Sequence, residues 1–204
     1  MLHSNEIIIV TNNNGKIREI EYVLKSLNFS ISTLTQNGIL LPHTVEIFSS
    51  YEENAKAKGD YVFEKINKQV ISDDSGLEVD CLSGEPGIFS SRYSSSGSDI
   101  DNRKKMLNNV KNFPEEQRKA KFICVLYFRD ENKSLFFKGE VEGLIIDQEK
   151  GQNGFGYDPI FYHQDSGKTF AELSFEEKIE ISHRGNALRK LKNYLIKKNT
   201  EGGI

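Results

Sequence analysis

The first apolar run, Glu6-Ile7-Ile8-Ile9-Val10, is short, β-branched and bounded by polar residues, which predicts a buried strand. A polar loop, Thr11 to Lys16, follows it. Ile17, Ile20, Val23, Leu24 and Leu27 then recur at helical spacing, and Phe29 to Leu34 alternates apolar and polar as a strand does. Strand, loop, helix, strand is an α/β opening. Ala55, Gly59, Val62 and Ile66 mark a second helix. Val70-Ile71-Ser72 predicts a short strand entering a turn at Asp73-Asp74-Ser75-Gly76, and Leu77, Val79 and Cys81 alternate as a strand leaving it. Ile100, Met106, Leu107 and Val110 mark a third helix that ends before Pro114. Phe122 to Phe128 and Ser134 to Ile146, around a turn at Asp130 to Lys133, predict a long antiparallel hairpin with bends at Gly139 and Gly143. Gly151 to Pro159 reads as a glycine-rich loop. Leu188, Leu191 and Leu195 mark a last helix, and residues 199–204 read as a polar, frayed tail. Intermixed strands and helices predict a mixed sheet.

Composition adds limits rather than detail. A chain of 204 residues holds one large domain or two lobes sharing a core, here taken as residues 1–198. With 37% hydrophobic and 28% charged residues it reads as an ordinary soluble protein. It has no apolar run of about 18 residues, so no membrane span is expected. Met1 to Glu6 lacks the features of a secretory signal, and cytoplasmic residence is the default expectation. A net charge of -3 argues against a protein that holds nucleic acid polymers, but a single nucleotide needs only a few placed cations. Cys81 and Cys124 lie in apolar, strand-like runs and read as buried thiols.

Four segments carry candidate chemistry. Thr11-Asn12-Asn13-Asn14-Gly15-Lys16 sits between a strand and a helix, where free N–H groups and the helix dipole attract an anion; Lys16 adds charge. It is not a Walker A loop, which needs Gly in place of Val10 and Ser or Thr in place of Ile17. Asp73 and Asp74 are adjacent carboxylates at a strand end, able to bind a hard cation or activate water, and Glu46 is an acid among apolar neighbours upstream. Gly154-Phe155-Gly156-Tyr157-Asp158-Pro159 combines close-approach glycines with aromatic faces and an acceptor, a mixture suited to a flat heterocycle. Lys178 and Ser182-His183-Arg184 supply donors for phosphate or a base carbonyl. Singly, each also reads as an ordinary polar turn, a solvated strand face, a glycine hinge or a surface basic pair.

In this order the motifs resemble the Ham1-like family of inosine/xanthosine triphosphate pyrophosphatases. The likeness runs through Thr11 to Lys16, Asp73 to Leu77, Pro86 to Tyr93, Gly154 to Pro159 and Ser182 to Arg184. Asn12, Ser91 and Phe89 stand where many members have Gly, Ala and Tyr. The resemblance implies an elongated, two-lobed α/β fold with a central mixed β-sheet flanked by helices and an active-site cleft between lobes. It also implies a homodimer and Mg²⁺-dependent hydrolysis of ITP, dITP or XTP to the monophosphate and pyrophosphate. By the same resemblance, Asp74 is general base and metal ligand, Glu46 completes the metal site and Asp73 assists. Thr11, Asn12, Asn13, Asn14, Gly15, Lys16 and Ser75 hold phosphates. Phe155 stacks on the base, and Gly156, Tyr157, Asp158, Lys178, His183 and Arg184 frame it, with Arg184 as donor to a 6-oxo group. The competing expectations are a related pyrophosphatase with another base preference, a non-catalytic nucleotide sensor, and a P-loop kinase or GTPase, the last disfavoured by Val10 and Ile17.

Overall fold

The computed structural model describes residues 6–42 and 45–201. Strand β1 (Glu6–Val10) is apolar at every inner position because both of its edges and both of its faces are covered. It pairs in parallel with β2 (Ser30–Thr33) on one side and with β3 (Gln69–Val79) on the other, and Ile7 to Val10 are fully buried. The remaining strands are β4 (Pro86–Gly87), β5 (Lys119–Arg129), β6 (Ser134–Ile145), β7 (Phe161–His163) and β8 (Lys168–Thr169). Their order is β2-β1-β3-β5-β6-β7-β8, with β4 antiparallel on β3, and β7 antiparallel to both β6 and β8. The sheet is therefore mixed, as the intermixed pattern predicted. The helices are α1 (Asn14–Leu24), α2 (Tyr51–Ile66), α3 (Asp99–Val110), α4 (Phe175–Ile181) and α5 (His183–Glu201).

The chain divides into two compact units. The first holds residues up to Asp74, Cys124–Gly139 and residues from Arg184 onward. Its core gathers Ile8, Val10, Leu34, Val62, Phe63 and Val70, and the stripes of α1 (Ile20, Leu24) and α5 (Leu188, Leu191, Leu195) are fully buried. Gly59 lets α2 approach closely: a Cβ there would lie 2.5 Å from the Tyr127 ring. The second unit holds Ser75–Ile123 and Glu140–His183. Its core is aromatic, with the Phe122 ring 4.5 Å from Phe161 and 5.9 Å from Phe170, backed by Leu77, Met106 and Ile160.

Several local expectations give way to pairing. Asp73 to Gly76 is not a turn: β3 runs straight through it, because Leu77 and Glu78 find partners in Gly87 and Pro86 of β4. Val45 to Phe48 is no strand. It is a loop pinned by Asn54, whose side chain accepts from Phe48 N–H at 3.0 Å and donates to its carbonyl. Cys81 sits in a 3₁₀ turn, Asp80–Leu82, past the end of β3, and is only half-buried there, against the expectation of a buried thiol; both cysteines are free. β7, β8 and α4 had no clear signal, being three, two and seven residues long. α5 stays helical through Glu201, and residues 202–204 of the expected tail lie outside the described residues. Among the described residues no helix is long and apolar enough to cross a membrane.

Candidate functional site

The last β1–β3 pair is Val10 with Ser72, so β1 releases the chain at Thr11 just where β3 presents Asp73. The C-terminal ends of parallel strands are where such sheets expose their chemistry. Helix α1 starts earlier than its apolar stripe suggested. Asn13 is its N-cap: the side chain accepts from Lys16 N–H at 3.0 Å, and Thr11 Oγ1 accepts from Asn13 N–H at 3.2 Å. Asn12, Asn13 and Asn14 are exposed, and Gly15 and Lys16 half-buried. With the Lys16 N–H taken by the Asn13 cap, the Asn14 and Gly15 N–H groups are what the first turn of α1 leaves for an anion.

Asp73 and Asp74 are neighbours on a strand, so their side chains leave opposite faces and meet different partners. Asp73 is 1% exposed. Its carboxylate accepts from Lys16 Nζ, from Arg184 Nε at 3.1 Å and from Cys124 Sγ at 3.1 Å. Burial opposes its ionisation, but Arg184, Lys16 and Lys58 outweigh that and hold the carboxyl far below the usual range. Asp74 faces Lys58, whose Nζ lies 3.4 Å from Asp74 Oδ1, pairs with Glu46 and donates to the Asp73 carbonyl at 2.6 Å. Burial raises the Asp74 pKa, aided by Asp73 and Glu46; Lys58 and Lys16 pull the other way and lose. Asp74 Oδ2 is buried without a protein hydrogen-bond partner.

Lys58 was not foreseen as a site residue, although a lysine three residues after Ala55 and four before Val62 falls on the buried stripe of α2. Burial disfavours its charge, but Asp74, Glu46 and Asp73 more than restore it, so Lys58 stays an ammonium. Glu19 was missed for a similar reason. It is 2% exposed, four residues before Val23 on α1, and it accepts from Arg184 Nη1 at 2.6 Å. Arg184, taken from the sequence as a base donor, has its guanidinium committed to Glu19 and Asp73 at 1% exposure. Cys124 is the small buried thiol expected, and burial together with Asp73 keeps it protonated and hence a donor.

The second unit brings together Phe155, Asp158 and Lys178. Gly154 has φ +76°, and a Cβ on it would lie 2.0 Å from Asp158 Oδ2. That approach lets Asp158 Oδ2 accept from both Phe155 N–H at 2.8 Å and Lys178 Nζ at 2.6 Å. Lys178 Nζ lies 4.5 Å from the centroid of the half-buried Phe155 ring. Helix α4 presents Lys178 and is started by a Ser174–Glu177 capping box. His183 stacks on Phe122 at 4.6 Å and 10°. Tyr157 offers no open face: it is 4% exposed in the core, with its hydroxyl donating to the Ser90 carbonyl at 2.8 Å. Ser75 follows Asp74 on β3 and is half-buried.

Among the described residues no three His, Cys, Asp or Glu side chains form a metal cage. A two-carboxylate site does fit a hard cation. In the first unit Glu19, Glu46, Asp73 and Asp74 face three cations, Lys16, Lys58 and Arg184, and the unpartnered oxygen belongs to Asp74. Mg²⁺ takes one or two carboxylates and completes its shell with water and phosphate oxygens. Asp73, already holding three donors, has little left to offer it.

Known proteins match this chain along nearly its whole length. The chain is 45% identical over 193 residues to a dITP/XTP pyrophosphatase of Staphylococcus epidermidis, covering 93% of this chain and 96% of that protein. It is 39% identical over 192 residues to the dITP/XTP pyrophosphatase of Thermus thermophilus, covering 94% and 92%. The solved Ham1 protein of Staphylococcus aureus superposes with a TM-score of 0.83 at 41% identity, covering 95% of this chain and 99% of that one. A HAM1 protein from Coxiella burnetii superposes with a TM-score of 0.85 at 34% identity, covering 94% and 98%. The Ham1 family model itself spans residues 7–194, from the first buried strand to the last helix, and the chain belongs to the Ham1 family.

Proposed function

We propose that this chain hydrolyses the triphosphates of inosine, deoxyinosine and xanthosine to monophosphate and pyrophosphate, clearing aberrant purines from the nucleotide pool. The observation that carries the reading is the Lys58 ammonium held against Glu46 and Asp74, beside a Lys16 that Asp73 holds at the start of α1. Relatives at 39% and 45% identity named dITP/XTP pyrophosphatases support it.

Each residue then has a task. Thr11, the asparagine loop and the first N–H groups of α1 bind phosphate oxygens, and Lys16 adds positive charge. Asp73 orients Lys16, and Arg184 and Cys124 orient Asp73. Asp74 takes the proton of a water attacking the α-phosphorus; the bond from that phosphorus to its bridging oxygen breaks, and pyrophosphate leaves. A raised pKa makes Asp74 a better proton acceptor than an ordinary carboxylate. Mg²⁺, which we assign to Glu46 and Asp74, would neutralise phosphate charge and acidify the water. Phe155 stacks on the base, and Lys178 offers a proton donor to a 6-oxo group, where adenine would present a like donor. An unmet buried donor costs roughly 1–3 kcal/mol, one to two decades of discrimination. A homodimer rests on the family resemblance alone, and sedimentation velocity tests it.

The deciding assay measures pyrophosphate and orthophosphate separately from ITP, XTP, GTP and ATP, with Mg²⁺ and with chelator. Pyrophosphate from ITP and XTP but not from ATP, lost on chelation, supports the reading. Orthophosphate as the product rejects the reaction, and equal turnover of all four bases rejects the base assignment.

A further inference from the structure

The peptide after Phe155 is held from outside the glycine loop. Gly156 N–H donates to Asp99 Oδ2 at 2.7 Å, and its carbonyl accepts from Arg103 Nη1 at 2.9 Å. Asp99 and Arg103 are four residues apart at the start of α3, so one helix face grips both polar groups of a single residue. Arg103 Nε also lies 2.9 Å from Glu149 Oε1, just ahead of the glycine loop, and only 12% of the Arg103 side chain is exposed. Gly156 has φ +61° with nothing within 4 Å of an added Cβ, so its glycine serves the backbone conformation the grip requires, not a lack of space. On the other side, Phe155 N–H is already bound by Asp158. The Phe155 backbone is thereby fixed at both ends, which leaves its ring only its side-chain rotamers.

We propose that Asp99 and Arg103 are positioning residues that hold the Phe155 ring ready for the purine. The proposal rests on the assignment of Phe155 to the base. Neither residue lies in a motif that carries the family resemblance, and neither touches Phe155 itself in the contacts above; they act through the Gly156 peptide. Freeing a gripped residue returns backbone entropy to the unbound loop. Ordering the loop again on binding would then weaken KM by about tenfold, since about 1.4 kcal/mol is a decade.

The test uses Asp99→Ala, Arg103→Met and the conservative Asp99→Asn, whose amide oxygen can still accept from Gly156. Two readouts are taken: kcat and KM for ITP, and amide hydrogen exchange across residues 151–158 in nucleotide-free protein. Asp99→Ala and Arg103→Met are expected to raise KM about tenfold with kcat within about threefold, and to speed exchange in the loop, while Asp99→Asn stays near wild type. In a Phe155→Ala background the same changes should add less than about twofold, because the ring they position is gone. An undiminished KM effect in that background, or unchanged exchange in both variants, overturns the proposal. If one variant fails to fold, the other carries the same test. A wild-type protein that releases no pyrophosphate from ITP defeats the functional reading, and with it the base as the purpose of the grip. The exchange result then still decides whether α3 holds the loop.

Discussion

Replacing Lys58 by methionine keeps the length of the side chain and removes its charge. The side chain is 5% exposed, and its ammonium lies against Glu46, Asp74 Oδ1 at 3.4 Å and the Asp73 carbonyl. At 3.4 Å and an effective dielectric constant near 20, one such pair attracts by about 5 kcal/mol before desolvation is charged against it. Glu46 is 38% exposed and recovers water when released, so its share is small. Breaking a buried pair from one side typically costs about 3–5 kcal/mol. We expect the lower end, about 3 kcal/mol, because Asp74 can take up a proton instead of remaining a bare carboxylate. For a chain of this size that is a drop in Tm of roughly 6–12 °C. The sign with pH follows from the shifts. Lys58 has a raised pKa, so its contribution is fully present at neutral pH. Asp74 has a raised pKa in the wild type and a higher one without Lys58, so the deficit narrows as the pH falls toward that value. Urea unfolding of both proteins at pH 7 and pH 5, with chelator to remove metal, measures this. A variant within about 1 kcal/mol of wild type at pH 7, or a deficit that widens in acid, would refute the electrostatic account of the cluster.

Asp74→Asn should lower pyrophosphate release from ITP by roughly 10²–10⁴-fold while circular dichroism stays native; turnover within tenfold of wild type removes Asp74 as the base. Gly154→Ala forces a Cβ to 2.0 Å from Asp158 Oδ2 at φ +76°, so a loss of about 2 kcal/mol in urea unfolding and a higher KM are expected. Burial, with the hydrogen bond to Asp60, pushes the Tyr127 phenol up to about 12. Its proton is then held more tightly in the folded state, so stability present below pH 10 should be lost as the pH rises toward 12. Tyr127→Phe should flatten that decline and remove one late step from the ultraviolet phenolate titration.

Strong periodicity was readable wherever one element buries one face by itself. The β1 run, the stripes of α1, α2 and α5, and the β5–β6 pair with its turn from Asp130 to Lys133 follow from local pattern, whereas the α3 stripe is buried at Met106 and Val110 but not at Ile100, which is 56% exposed in the first turn. The sequence also marked Lys16, Asp73, Asp74, Phe155, Asp158 and Lys178 as chemically unusual, and the fold gathers them into two clusters. What it misjudged were segments whose form depends on a distant partner. Asp-Asp-Ser-Gly carries a local turn signal, but β4 supplies hydrogen-bond partners beyond it and the strand continues.

Local chemistry by itself therefore determined the class of fold, the helix stripes and the residue types present at the site. Tertiary structure decided which partners each of those residues meets. Two adjacent aspartates look equivalent in a sequence; strand alternation sends one to Lys16, Arg184 and Cys124 and the other to Lys58, and their pKa values move in opposite directions. Arg184 meets Asp73 across 111 positions and Glu19 across 165. No local pattern encodes a pairing at that range, because the energy of a buried charge depends on which other charges the finished fold brings beside it.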